Sequence, residues 1–172
     1  VIVGSGIIGK FNALELSELG FQITIIDPTQ LQNSSNAALG LLMGNMYQKR
    51  RGRSWNLRKQ SIELWPQWIT FLQKFNYELN IEKPLIQLTT NEEKFKKLEK
   101  FIYENNDQNL RILERDSIFI KNINKAFQTK NIKGMISFKD GRINALSLLQ
   151  TLDKYLKHKK VNYLKEEVIK IR

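Results

Sequence analysis

The residues best suited to chemistry lie at the start of the chain. Gly4-Ser5-Gly6-Ile7-Ile8-Gly9 has the spacing GxGxxG, directly after the apolar run Val1-Ile2-Val3. In such a turn the first glycine permits the tight bend and the second lets the backbone approach a pyrophosphate. The third lets a following helix pack closely on the strand. The helix then aims its unpaired N–H groups and the positive end of its dipole at the phosphates. Asp27 closes a second apolar run eighteen residues beyond Gly9, near the ~20 expected for an acid that accepts hydrogen bonds from a ribose. A carboxylate there repels a 2′-phosphate, which disfavours NADP. The turn alone leaves FAD and NAD both open.

Positioning such a turn requires a βαβ unit. Val1–Val3 reads as a buried parallel strand, Lys10–Leu19 as a helix ended by Gly20, and Phe21–Ile26 as the second strand. Asn33–Asn45 is small and apolar and reads as a helix start or a tight packed loop. Ser54–Asn76 reads as one long amphipathic helix, with Pro66 inside it and Trp55, Trp65 and Trp68 as core packing. Leu85–Thr90 is a strand, Asn91–Glu104 a polar helix whose cap and early acids come from Thr90-Asn91-Glu92-Glu93, and Leu110–Leu113 a short strand. Arg115–Ala126 fits neither pattern clearly, and Phe127–Lys133 reads as a connection. Gly134–Phe138 is an alternating strand with a turn at Lys139–Arg142. Asn144–Lys157 is a helix, and Val161–Leu164 and Glu167–Ile171 are the final strands.

Composition bounds the alternatives. The chain has 172 residues, 41% hydrophobic and 26% charged, which is a globular balance. No apolar run is long enough to span a bilayer. With no cysteine, a disulfide scaffold, a thiolate metal site and a cysteine nucleophile are all excluded. That fits a reducing, cytoplasmic setting. The only histidine, His158, ends a lysine-rich helix and reads as solvated. The net charge of +11 is spread along helix faces beside Glu and Asn. Nucleic acid is therefore disfavoured as a partner, although Lys49-Arg50-Arg51-Gly52-Arg53 is a dense basic cluster. The sequence starts inside an apolar strand without a methionine, so a piece of a longer chain is expected.

A second segment carries a more specific signal. Ser34-Ser35-Asn36-Ala37-Ala38-Leu39-Gly40-Leu41-Leu42 resembles the [ST]-S-x-A-A-x-G-[LM]-L stretch of the D-amino-acid oxidase family. That family includes glycine oxidase, sarcosine oxidase and glycerol-3-phosphate dehydrogenase. The stretch Gly134–Asn144, the helix after it, Val161 and Glu167–Ile171 are also similar to the strand, Asp-Gly turn, helix and V-x-x-I of that family. The resemblance spans essentially the whole chain.

The resemblance implies an α/β chain: an incomplete Rossmann-type FAD-binding βαβ domain with an incomplete inserted α+β substrate domain. Its boundaries would be 1–84 for the first FAD-binding part, 85–143 for the substrate-domain part, and 144–172 for the return. It implies FAD as cofactor. Gly4, Gly6, Ile7, Ile8 and Gly9 would serve the pyrophosphate, and Asp27 and Pro28 the adenosine ribose. Ser34 and Ser35 would lie near the phosphates, Leu39, Gly40 and Leu41 near the flavin, and Val168 on the adenine side. The shorter Asp27 replaces the family's usual Glu. Arg53 and Arg58 are equally compatible with holding phosphate or positioning the long helix and with plain surface charge. No metal is implied, and the catalytic residues would follow Arg172. The implied activity is oxidation of a small amino acid or amine, glycine or D-amino acid in type, by hydride transfer to flavin. Oxygen or another acceptor would then take the electrons. The alternatives are another flavin or NAD dehydrogenase of glycerol-3-phosphate type, a tRNA-modifying flavoprotein, and an inactive dinucleotide-binding scaffold.

Overall fold

A computed structural model describes residues 1–28, 34–114, 117–121 and 131–170. It divides into two compact units. The first comprises Val1–Leu41, Trp65–Ile81 and Ile143–Arg172, and the second Leu42–Leu64 and Glu82–Arg142.

In the first unit, β1 (Ile2–Val3), β2 (Thr24–Ile26) and β8 (Asn162–Leu164) form a parallel sheet in the order β1-β2-β8. Ile2 pairs with Ile25, and Ile25 with Tyr163. Helix α1 (Ile7–Glu18) begins immediately after the glycine turn, three residues before the sequence pattern suggested. The glycines carry no apolar side chain, so periodicity detects the helix only from Lys10 onward. Gly20, at φ +86°, ends it. Phe21 N–H donates to Leu16 O at 3.1 Å, so the freed carbonyls turn back on the chain. This capping turn consumes Phe21, which is why β2 starts at Thr24 and not at Phe21.

Helix α5 (Ala145–His158) lies against α1. Its N-cap is Asn144, whose side chain accepts Ser147 N–H at 3.0 Å. Leu14, Ile25, Leu72, Leu152, Tyr155 and Leu156 are fully buried and form the core of this unit. Trp65 and Trp68 are only partly buried, each with an edge-to-face contact on Phe11 at 5.9 and 5.4 Å. They border the core and do not fill it, which corrects the expectation.

Helix α2 (Gly52–Leu72) is continuous through Pro66 and contributes residues to both units. It starts two residues before the expected Ser54 and stops four before Asn76. The segment Asn33–Asn45 is not helical where it is described. Residues 34–37 form a turn, and β3 is Leu41–Leu42.

The second unit is built on an antiparallel sheet in the order β4-β6-β5: β4 (Leu85–Thr89), β6 (Lys133–Ser137) and β5 (Leu110–Leu113). Helix α3 (Glu92–Asn105) is capped by Asn91, which accepts Lys94 N–H at 2.9 Å. Phe101 and Leu98 on α3 pack with Met46, Leu110 and Met135. A second cluster joins Leu113, Ile120, Ile132 and Ile136. Ile120 belongs to a four-residue helix, α4 (Ile118–Lys121), and β7 is Gly141–Arg142. Much of Arg115–Ala126 and Phe127–Lys133 lies outside the described residues. The expected strand Glu167–Ile171 is absent over the described 167–170, where Ile169 is 94% exposed. No strand among the described residues pairs with it.

Candidate functional site

The first unit assembles the glycine turn from three separate stretches of chain. Gly4 follows β1 at φ +95° and donates its N–H to Ile26 O of β2 at 2.8 Å. Ser5 N–H donates to Asp27 Oδ2 at 2.7 Å. Ile7 N–H, at the first position of α1, donates to Ser35 Oγ at 3.0 Å. The turn is thus held at both ends by side chains from loops that follow β2. Asp27 N–H also donates to Leu164 O at 3.0 Å, which fixes the carboxylate-bearing strand end against β8.

Space requires glycine at positions 9 and 40, while Gly6 is only tight. A Cβ on Gly9 would fall 2.0 Å from Gly4 O, so any side chain would push α1 off the turn. A Cβ on Gly6 would approach Ser35 Oγ to 3.1 Å. Gly40, at φ +68°, has its carbonyl bonded by Ile143 N–H at 2.9 Å, and a Cβ there would fall 1.9 Å from Ile143 O.

These observations test whether a dinucleotide phosphate fits. The N-cap is Gly6, which supplies no capping side chain. Among the described residues, Gly6, Ile8 and Gly9 N–H have no protein acceptor. Three donors at a positive helix end, beside a backbone stripped of side chains, suit a pyrophosphate. Asp27 is partly buried at the end of β2, where a ribose-binding acid belongs. The residues fit the group.

The sequence-predicted residues divide accordingly. Gly4, Gly6, Ile7, Gly9, Asp27 and Ser35 meet around one turn. Ile8 is 75% exposed beside it, and Pro28, exposed, follows Asp27. No hydrogen bond among the described residues joins Ser34, Leu39, Gly40, Leu41 or Val168 to that turn. Ser34, Leu39 and Leu41 are exposed, and Val168 is half-buried in irregular chain. His158 is exposed in the last turn of α5, with its ring 5.6 Å from that of Phe75.

The basic cluster is only partly solvated. In the second unit, Arg50 donates to Asn105 Oδ1 and to Asn45 O, both at 2.6 Å. Arg58 donates to Met43 O at 2.9 Å and lies 4.1 Å above the Tyr47 ring. The Arg58 contacts fit the expectation that it positions the long helix, while Lys49, Arg51 and Arg53 are exposed. The described residues contain no cluster of His, Asp and Glu able to hold a metal, and no helix long and apolar enough to cross a membrane.

Sequence reasoning missed Asp140. The local pattern marks it only as a turn residue, yet its carboxylate is buried and accepts three successive backbone N–H groups. The one local signal was the Asp-Gly pair itself, which does not distinguish an exposed turn from a buried anchor.

The family model for FAD dependent oxidoreductases, DAO, matches residues 1–172. No curated protein matches the chain. Among solved structures, glycine oxidase from Bacillus cereus ATCC 14579 is similar with a TM-score of 0.79 and 22% identity. That likeness covers 99% of this chain and 48% of that one. Glycine oxidase from Geobacillus kaustophilus gives 0.79 and 23%, over 95% of this chain and 45% of the other. Iminodiacetate oxidase from Chelativorans sp. BNC1 gives 0.78 and 17%, over 96% and 46%. The chain therefore spans about half the length of these structures, and the likeness is one of fold. With the glycine turn, the parallel βαβ sheet and a family match over its full length, the chain belongs to the DAO family of FAD-dependent oxidoreductases.

Proposed function

We propose that this chain forms part of an FAD-dependent oxidase of a small amino acid or amine, of glycine or D-amino-acid type. The observation that carries the reading is the turn in which Ser35 holds the start of α1 and Asp27 holds Ser5, leaving Gly6, Ile8 and Gly9 N–H without a protein acceptor among the described residues. The similarity to glycine and iminodiacetate oxidases supports the substrate class.

On this reading, Gly4, Gly6, Ile7, Ile8 and Gly9 bind the pyrophosphate of FAD. Asp27, with Pro28 beside it, orients the adenosine ribose. Ser34 and Ser35 lie by the phosphates, Leu39–Leu41 along the flavin, and Val168 on the adenine side. The first unit is the cofactor-binding part and the second belongs to the substrate domain. FAD, when bound, would supply a hydride acceptor for the substrate C–H next to nitrogen, with oxygen or another acceptor as the final oxidant. The residues of this chain bind and orient. None of them is assigned a proton transfer. The protein would work in the cytoplasm.

The test is direct. The full protein, purified and supplied with FAD, shows flavin absorbance and consumes oxygen with glycine or a small D-amino acid. A colourless protein after FAD addition overturns the flavin reading. A yellow protein that oxidises only hydroxyl substrates, such as glycerol 3-phosphate, overturns the amine reading.

A further inference from the structure

Asp140 is 1% exposed and has no cationic partner among the described residues. Its charge is met by backbone dipoles instead. Oδ1 accepts Gly44 N–H at 2.7 Å and Asn45 N–H at 2.9 Å, and Oδ2 accepts Met46 N–H at 2.7 Å. Three successive N–H groups converging on one anion form a backbone nest, and here the anion belongs to the protein. Asp140 is itself held: its N–H donates to Ser137 Oγ at 3.1 Å, and Ser137 is fully buried. Three residues further on, Ile143 N–H bonds Gly40 O at 2.9 Å. Within the second unit Asp140 therefore fastens Gly44–Met46, and within the first Ile143 fastens Gly40. Gly44–Met46 leads into the basic loop that carries Lys49–Arg51, with Gly52 and Arg53 opening α2.

We propose that Asp140 is a positioning residue. It fixes the backbone of Gly44–Met46, which continues in sequence from the flavin-side segment Leu39–Leu41 and leads into the basic loop. The cofactor half of this proposal rests on the FAD reading given above. Charge and shape are both needed. An asparagine offers one acceptor oxygen and places an NH2 group against an N–H, so at least one buried donor loses its partner.

The experiment compares the wild-type full protein with Asp140→Asn and with Ile136→Val, a core trimming in the same unit. Ser137→Ala is a milder second variant for use if Asp140→Asn is insoluble. Two quantities are read well below the melting temperature: the FAD dissociation constant, from quenching of flavin fluorescence, and the trypsin cleavage rate at Lys49–Arg53. Asp140→Asn should weaken FAD binding about tenfold and speed cleavage by a similar factor. Ser137→Ala should move both in the same direction by less. Ile136→Val should leave both near wild type despite its lower melting temperature. Unchanged values in the Asp140 variant, or equal changes in Ile136→Val, overturn the proposal. If the wild type takes up no FAD, the cofactor half falls with the flavin reading, and the trypsin rates still decide whether Asp140 anchors the loop.

Discussion

Ser35 Oγ accepts the N–H of Ile7, 28 residues away in sequence, at 3.0 Å. A helix normally takes such a bond from a residue at its own N-cap. Here the N-cap is Gly6, and the task passes to a loop beyond β2. The arrangement keeps the turn free of side chains while still satisfying one of its donors. Ser35→Ala should therefore lower stability by about 1 kcal/mol, measured by urea unfolding without cofactor. A stability equal to wild type would mean that water serves Ile7 equally well.

The three-dimensional need for glycine differs between positions, and this gives a paired test. Gly9→Ala places a Cβ 2.0 Å from Gly4 O, against backbone that cannot yield without moving α1. It should cost about 3 kcal/mol and abolish flavin uptake. Gly20→Ala meets nothing within 4 Å and suffers only from φ +86°. Its cost should be about 1 kcal/mol, with flavin uptake intact. Urea midpoints and flavin absorbance of the two variants check the contrast.

Lys10 and Asp153 form an ion pair at 2.5 Å between α1 and α5. Lys10 is buried within the helix contact, while Asp153 is about half exposed. The two ends should respond unequally. Asp153→Ala leaves a buried ammonium without its carboxylate and should cost about 2 kcal/mol, reduced from the fully buried case by solvent around Asp153. Lys10→Met keeps the apolar stem and leaves a carboxylate that water can reach, so its cost should stay below about 1 kcal/mol. Equal losses in urea unfolding would contradict the asymmetry.

The βαβ half of the fold was legible because its signals are local. Gly4, Gly6 and Gly9 are spaced along one turn, and Asp27 closes the next strand at the expected distance. What escaped were long-range matters. Nothing near Ser35 marks it as the cap of a distant helix, and nothing near Asp140 marks it as a buried anchor. Lys10 looks like any helix-face lysine until Asp153 is placed opposite. Val168, Ile169 and Ile171 are β-branched as a strand's residues would be, but pairing depends on a neighbour that local pattern does not reveal. The tryptophans misled for a related reason. Their size suggests a core, yet an edge-to-face contact with Phe11 leaves much of Trp65 and Trp68 at the border.

The last prediction concerns pH. Tyr155 is buried on α5, donates its hydroxyl to Glu18 Oε1 at 2.6 Å and lies 3.0 Å from Ser17 Oγ. Burial, and then the hydrogen bond to Glu18, push its phenol up to about 12. Glu18 moves the other way. Its hydrogen bonds to Lys159 and then to Tyr155 hold its carboxyl below the usual range. A phenol whose folded pKa is raised stabilises fully below its unfolded value of about 10, and the contribution is lost as pH rises toward about 12. A carboxyl whose folded pKa is lowered stabilises above its unfolded value of about 4, and that contribution is lost as pH falls through the lower folded value. Stability should therefore hold between these limits and fall on both sides. Tyr155→Phe should flatten the alkaline arm, since phenylalanine has no proton to lose. It should shrink the acid arm only in part, because Lys159 still bonds Glu18 at 2.7 Å. Urea midpoints across pH for the wild type and the variant give the comparison. An alkaline arm of equal steepness in both proteins would remove Tyr155 as its source.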